Sequence, residues 1–404
     1  MVSVRFHGIR LMNICAATAR RPSYNDYDAH GTGTIGNRQP SMTVATERQE
    51  FQCPGPVVLL GSGETSEVMG PVYETLLRRI GRPTSPRIAI LETPAGFEPN
   101  SPQVAERVAD FLRRRLSPFS PLVQVVPARK RGTPFSPDDP ALLEGVYRAD
   151  LVLLGPGSPT YAVRQLRGSL IWHALTARHL LGGTTVLASA AMIAAGAQAL
   201  PVYEIFKVGE DPRWEEGLDL MGLHGLSLVL VPHWNNTDGG MELDTSRTYI
   251  GQERFDKLCR LLEEDRTIVG LDENTALVID PALGQGAVTG RGNVTVIRSG
   301  RESIFTSPQT FPLSELGPFR RATGRGDVPA DIWDAAVAAL SPSEPAAPAV
   351  PEVPAEVRRL IEEREVARER KDWARADELR QRILASGWRV NDTPEGPVPE
   401  PESS

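Results

Sequence analysis

From residue 56 onward the chain alternates short apolar runs, each closing on Gly, Pro or Ser, with longer stretches whose apolar positions recur every three to four residues. The short runs predict strands and the longer ones amphipathic helices. Strands are expected at 57–63 ("VVLLGSG"), 87–96, 122–128, 149–157, 184–189, 226–234 and 267–279, and helices at 70–81, 101–116, 160–181 and 247–265. Several strands are apolar at every position, as a strand covered on both faces requires. The alternation predicts a doubly wound α/β domain over residues 55–300, with a mostly parallel sheet and helices on both faces. In such a sheet functional groups gather beyond the carboxyl ends of the strands.

The pattern changes at both ends of this domain. Residues 301–340 read as an irregular or helical extension, and 341–356 ("SPSEPAAPAVPEVPAE") as a Pro/Ala linker with too few large apolar residues to fold. Residues 357–397 then predict two short helices broken near Lys371-Asp372, with Asp372 as N-cap and Gly387 as the stop. Their apolar positions are Leu360, Ile361, Val366, Ala367, Trp373, Ala376, Leu379 and Ile383. A disordered tail is expected at 398–404. Residues 1–54 read as a disordered extension or an over-long start, with Met42 a plausible initiator.

Composition narrows the function classes. The net charge of −7, from 51 acidic and 44 basic residues, gives no general attraction to nucleic acid or anionic membranes, so such a partner would need a local patch. Three scattered cysteines, Cys15, Cys53 and Cys259, form no C-x-x-C pair, which argues against a disulfide framework or a thiolate metal site and fits a reducing, cytoplasmic setting. No run approaches about 18 uninterrupted apolar residues, so no membrane span is expected. Neither a cofactor nor a metal is expected.

The strand ends hold the candidate chemistry. In "VLASAAMIAAG", Ser189 lies between a strand and a helix, where a sharp turn would lift its hydroxyl above the sheet. Alone it is ordinarily just a small residue in a turn. His233 ends another buried strand, placed at the same edge of the sheet, and could take the serine proton. A third member would fix the imidazole tautomer, and "GLDENTALVI" offers both Asp272 and Glu273. Gly157 and Ser158, just before a helix, could donate backbone N–H groups to an oxyanion. Glu64, Glu242, Asp244 and Arg247 are candidate charges for a substrate pocket, each also readable as an ordinary surface group.

Taken in order, "LLGSGE", "LGPGSPTYAVRQL", the Ser189 elbow, "LPVYEIFKVGED", "VPHWNN" and "GLDENTALVI" resemble the cyanophycinase and aspartyl dipeptidase (dipeptidase E) family of serine peptidases over residues 56–298. That resemblance implies a class I glutamine amidotransferase-like fold, a Ser189-His233-Glu273 triad, an acyl-enzyme, and a small peptide or other amide substrate. The family's elbow has glycines two residues before and after the serine, where this chain has Leu187 and Ala191. A second resemblance is carried by "EREVARERKDWARADELRQRILASGWRVNDTPEGP" from Glu363, which looks like the extreme C-terminus of cysteinyl-tRNA synthetases. It implies a tRNA or protein partner for residues 357–397, although the synthetase's catalytic signatures are missing. Three readings stay open: a serine hydrolase, a degenerate hydrolase domain that binds through its tail, and, last, an amidotransferase-like subunit. The oligomeric state is open as well, a homodimer included.

Overall fold

The computed structural model describes residues 53–80, 85–340, 354–393 and 396–401. The expected N-terminal extension as far as residue 52, the linker as far as residue 353 and the last three residues lie outside them. Chain order runs β1 (Val57–Leu60), α1 (Gly70–Ile80), β2 (Arg87–Leu91), α2 (Ser101–Arg115), β3 (Leu122–Val126), α3 (Leu143–Tyr147), β4 (Leu151–Leu154), α4 (Pro159–Leu166), α5 (Leu170–Leu180), β5 (Thr184–Ala188) and α6 (Ala190–Ala194). Short strands β6 (Gln198–Ala199) and β7 (Glu215–Glu216) follow, then β8 (Leu228–Val231), α7 (Gln252–Arg260), β9 (Thr267–Leu271), β10 (Thr275–Asp280), β11 (Gln285–Gly290), β12 (Asn293–Arg298), β13 (Arg301–Thr306), β14 (Thr310–Pro312) and α8 (Ala330–Leu340).

These strands form a mixed α/β fold with helix-flanked sheets. The larger sheet has the order β14-β11-β10-β1-β5-β4-β2-β3 and the smaller β13-β12-β9-β8-β6-β7. The core of the larger sheet, from β1 to β3, is parallel, while β10, β11 and β14 add antiparallel strands at one side. In β1 all four residues are fully buried, and they divide by face. Val57 and Leu59 join one apolar cluster and Val58 and Leu60 another. That two-sided burial, worth roughly 1.5–3 kcal/mol for each large side chain, is why the run is apolar at every position.

Several boundaries differ from the sequence reading. The stretch 267–279 is two strands in two different sheets, joined by the turn Asp272-Glu273-Asn274. The helix expected at 160–181 breaks into α4 and α5, because Gly168 takes φ 62° and the Ser169 hydroxyl caps the second helix at Trp172 N. The helix expected from Arg247 begins only at Gln252. Residues 301–340, expected to be irregular or helical, contribute β13 and β14 before α8, so the α/β fold extends past residue 300. β13 is exposed at Arg301, Glu302, Ile304 and Thr306, and such a half-polar edge strand leaves little hydrophobic signal.

The C-terminal segment comprises α9 (Ala355–Glu369), α10 (Trp373–Ala385) and a hairpin of β15 (Trp388–Thr393) with β16 (Gly396–Pro401). Asp372 accepts from Arg375 N at 3.1 Å, capping α10, and Gly387 turns the chain with φ 78°. Residues 396–401, partly assigned to a disordered tail, pair in this hairpin instead; a two-stranded ribbon can absorb their prolines at unpaired backbone positions. Val357, Leu360, Leu379, Ile383 and Trp388 form its core, whereas Val366 and Trp373 stand 45% and 60% exposed.

Candidate active site

Ser189 follows β5 with φ 52° and ψ −115°, a conformation that costs an L-residue on the order of 1–3 kcal/mol. The sharp strand-to-helix turn expected at this position forms with Leu187 and Ala191 in place of glycines. Both are buried in the core, Leu187 between Leu59 and Leu154 of the neighbouring strands. The Ser189 backbone N–H donates to Leu60 O at 3.3 Å, fastening the turn to the end of β1.

His233 lies two residues beyond β8, in the smaller sheet rather than at the edge of the sheet that holds Ser189. Glu273 sits on the turn where the chain passes from the smaller sheet to the larger. The three side chains therefore meet at the junction of the two sheets. His233 Nε2 is 2.9 Å from Ser189 Oγ, and His233 Nδ1 is 3.1 Å from Glu273 Oε1. An ionised carboxylate only accepts, so the Nδ1 proton faces Glu273 and Nε2 accepts from the serine hydroxyl. Asp272, the other acidic candidate, turns away and accepts from Asn293 N at 2.9 Å.

The supporting contacts were largely hidden in the sequence. Asn236 Nδ2 donates to Glu273 Oε1 at 2.8 Å, and Glu273 N donates to Asn235 Oδ1 at 2.9 Å, so the two asparagines after His233 grip the carboxylate's residue from both ends. The end of β1 ties the loops together. Gly61 O accepts from His233 N, Gly61 N donates to Thr275 O, and Ser62 Oγ accepts from Asn274 N. A Cβ on Gly61 would lie 2.1 Å from Asp272 O, so only glycine permits this approach. "LLGSGE" and "HWNN" are the sequence traces of these contacts, though nothing in them specifies the partners.

The Gly157-Ser158 turn lies beyond β4. Gly157 has φ 149°, and a Cβ there would stand 1.9 Å from Pro94 O. Of the two expected donors, Ser158 spends its N–H on Pro94 O at 2.9 Å, while its hydroxyl caps α4 by accepting from Tyr161 N. Ala190 N–H, first in α6, has no acceptor within its own helix.

The candidate pocket charges are not hydrogen-bonded to this relay among the described residues. Glu64 lines an open cleft of about 390 Å³ with Thr65, Arg107, Arg114 and Pro156. Glu242 is exposed, and Asp244 accepts from Ser246 N and Gln252 N. Arg247 packs over the Trp234 ring at 3.9 Å and donates Nη1 to Trp234 O; burial lowers its pKa. Tyr249 stands beside His233, ring centroids 6.2 Å apart, and donates its hydroxyl to Asp238 at 2.6 Å. Burial, then the bond to Asp238, push the tyrosine up to about 12, and the same bond lowers Asp238. Among the described residues no group of three or more His, Cys, Asp or Glu is placed to hold a metal ion, and no helix is long and apolar enough to cross a membrane.

Comparison with known proteins separates the chain into two parts. Residues 350–396 match the family model described as the Cysteinyl-tRNA ligase anticodon binding domain. The chain is 60% identical over 40 residues to cysteine–tRNA ligase 1 of Burkholderia lata, covering 10% of this chain and 8% of that protein. It is 54% identical over 43 residues to the cysteine–tRNA ligase of Chlamydia abortus, covering 11% and 9%. The chain thus spans under a tenth of the length of these curated relatives. A peptidase from an acI-B1 Actinobacterium superposes over 65% of this chain and 98% of its own, with a TM-score of 0.53 and 20% identity. A putative peptidase E protein from Listeria monocytogenes EGD-e aligns over 59% and 98%, with a TM-score of 0.40 and 12% identity. The α/β part accordingly has the fold of the actinobacterial peptidase, and the C-terminal segment is the piece that this chain shares with cysteine–tRNA ligases.

Proposed function

We propose that the α/β part is a serine hydrolase of peptide or other amide bonds. The reading rests above all on one observation, the Ser189–His233–Glu273 relay with separations of 2.9 and 3.1 Å. In it, His233 Nε2 removes the hydroxyl proton as Ser189 Oγ attacks the scissile carbonyl carbon, and Glu273 stabilises the imidazolium. The negative charge moves onto the carbonyl oxygen, where Gly157 N–H and Ala190 N–H are the assigned donors, Ser158 being committed to Pro94. His233 then passes its proton to the departing amine nitrogen as the C–N bond breaks, leaving an ester on Ser189. Water, deprotonated by His233, attacks that ester; the acid leaves and the serine regains its proton. A fluorophosphonate probe tests the assignment: the full chain is expected to label covalently and Ser189→Ala not at all. Labelling that survives Ser189→Ala sinks it.

A second reading concerns the C-terminal segment, for which tRNA is the proposed partner. The favouring observation is Trp373, 60% exposed at the first residue of α10. Its neighbour Asp372 lines a cleft of about 650 Å³ whose charged residues are of both signs, Arg359, Arg370 and Arg375 with Glu362 and Glu363, and Arg359 and Arg375 are paired with Glu363 and Glu378. An exposed indole suits an unpaired base, whose stacking is worth about 1–3 kcal/mol. Trp373→Ala is expected to weaken retention of tRNA by roughly tenfold or more; unchanged retention would count against an RNA partner.

A further inference from the structure

Three consecutive non-glycine residues, Arg247, Thr248 and Tyr249, have φ of 54°, 59° and 65°. L-residues enter the left-handed region as single positions, and a β-branched threonine is among the poorest fits there. A run of three needs compensating contacts, and those of Arg247 and Thr248 converge on one place, the chain just beyond β8. Pro232 O accepts the Thr248 hydroxyl at 2.5 Å. His233 O accepts Thr248 N–H at 3.2 Å, and Trp234 O accepts both Arg247 N–H at 3.0 Å and Nη1 at 2.9 Å. Three successive carbonyls, left without ladder partners once the strand has ended, thus all accept from one turn, with His233 O also accepting from Asn236 N at 3.2 Å.

The middle carbonyl belongs to the residue that would act as base. His233 itself has φ 47°, and its N–H is held from the other side by Gly61 O. Thr248 bonds to the carbonyls on both sides of the His233 Cα. Rotation about that Cα would swing the imidazole, and a displacement of about 1 Å would break its 2.9 Å contact with Ser189. Tyr249, last of the three, places its ring beside the imidazole and is anchored by Asp238. Trp234 is fixed in turn by Arg247 on its face, Phe255 at its edge and the backbone of Gly270, where a Cβ would lie 2.3 Å from the indole.

We propose that the left-handed turn at Arg247–Tyr249 is the element that positions His233, and that Thr248 is its positioning residue. The proposal rests on the serine-hydrolase reading of the site and adds a residue to it that does not touch the reacting atoms.

The test uses the full chain and Thr248→Gly, Thr248→Ser and Thr248→Val variants. Their readouts are the fluorophosphonate inactivation rate across pH and the NMR resonance of the His233 Nδ1 proton. Thr248→Gly removes the hydroxyl yet favours the left-handed backbone, having no Cβ to crowd it. A threonine whose role was only to fit this backbone would therefore tolerate it. The expected result is a folded protein labelled roughly tenfold more slowly, with a shifted pH midpoint and an altered Nδ1 proton resonance. Thr248→Ser, which keeps the hydroxyl, is expected to recover most of the rate. Wild-type rate, pH profile and resonance in Thr248→Gly overturn the proposal. If that variant does not fold, Thr248→Val against Thr248→Ser decides by the same readouts. If the wild type fails to label at all, the hydrolase reading falls, and the resonance alone judges the positioning role: shifted in the variant supports it, unchanged overturns it.

Discussion

At the scale of single residues, the site is built where side chains are missing or backbones are bent. Gly157 makes the point quantitatively. Its φ of 149° and the 1.9 Å gap between a would-be Cβ and Pro94 O mean that any side chain must push the turn off the 93–95 segment. The same Pro94 carbonyl holds Ser158 N–H, so the displacement would carry the Gly157 N–H with it. Losing one oxyanion donor costs about 10²–10³ in rate. Gly157→Ala is therefore expected to slow fluorophosphonate labelling by roughly a hundredfold or more. Gly155 is the control: it lies two residues earlier, and a Cβ there meets nothing within 4 Å. Gly155→Ala should label at close to the wild-type rate. Equal rates for the two variants would remove Gly157 from the oxyanion assignment.

At the scale of elements, the fold was legible wherever burial forces a pattern. The parallel strands β1, β2, β4 and β5 are apolar almost throughout because both faces are covered, and each expected run contained its strand. Ser189 and His233 stand out as candidates for a related reason, each lying just past such a run, whereas the choice of Glu273 over Asp272 comes only from the resemblance to the peptidase family. What could not be read is what depends on partners far away in sequence. The apolar run 267–279 does not record that its two halves enter different sheets, since burial looks alike in both. β13 alternates too weakly to be told from a polar loop. The span from Arg247 has helical periodicity in its side chains, yet its first residues turn left-handed because Pro232, His233 and Trp234 supply the acceptors. Asn235 and Asn236 likewise gain their roles only when the turn before β10 folds back against them.

At the scale of the whole molecule, a buried histidine pair couples stability to pH. His179, near the end of α5, and His224, shortly before β8, are both fully buried with Nε2 atoms 2.8 Å apart. Ala322 N donates to His224 Nδ1 and Arg320 N to His224 O, so the pair also anchors the segment leading to α8. Because His224 Nδ1 accepts, its proton sits on Nε2 and points at His179 Nε2, which must be bare. A second proton would set two N–H groups against each other in a dry site. Burial lowers His179 to about 3, with His224 adding to the shift, and burial lowers His224 to about 4, against an ordinary 6.5. Between those values the unfolded chain binds protons that the folded one refuses, so stability is complete above pH 6.5 and falls as pH drops. Each histidine contributes about 1.4 kcal/mol per pH unit over that window, or about 2 kcal/mol between pH 6.5 and 5. Denaturant unfolding at pH 7 and pH 5 measures the loss. His179→Gln offers an amide oxygen to His224 Nε2–H and removes one titration, so the pH-dependent loss is expected to shrink by about 2 kcal/mol. An equal loss in wild type and variant would mean that acid unfolds the molecule through other groups.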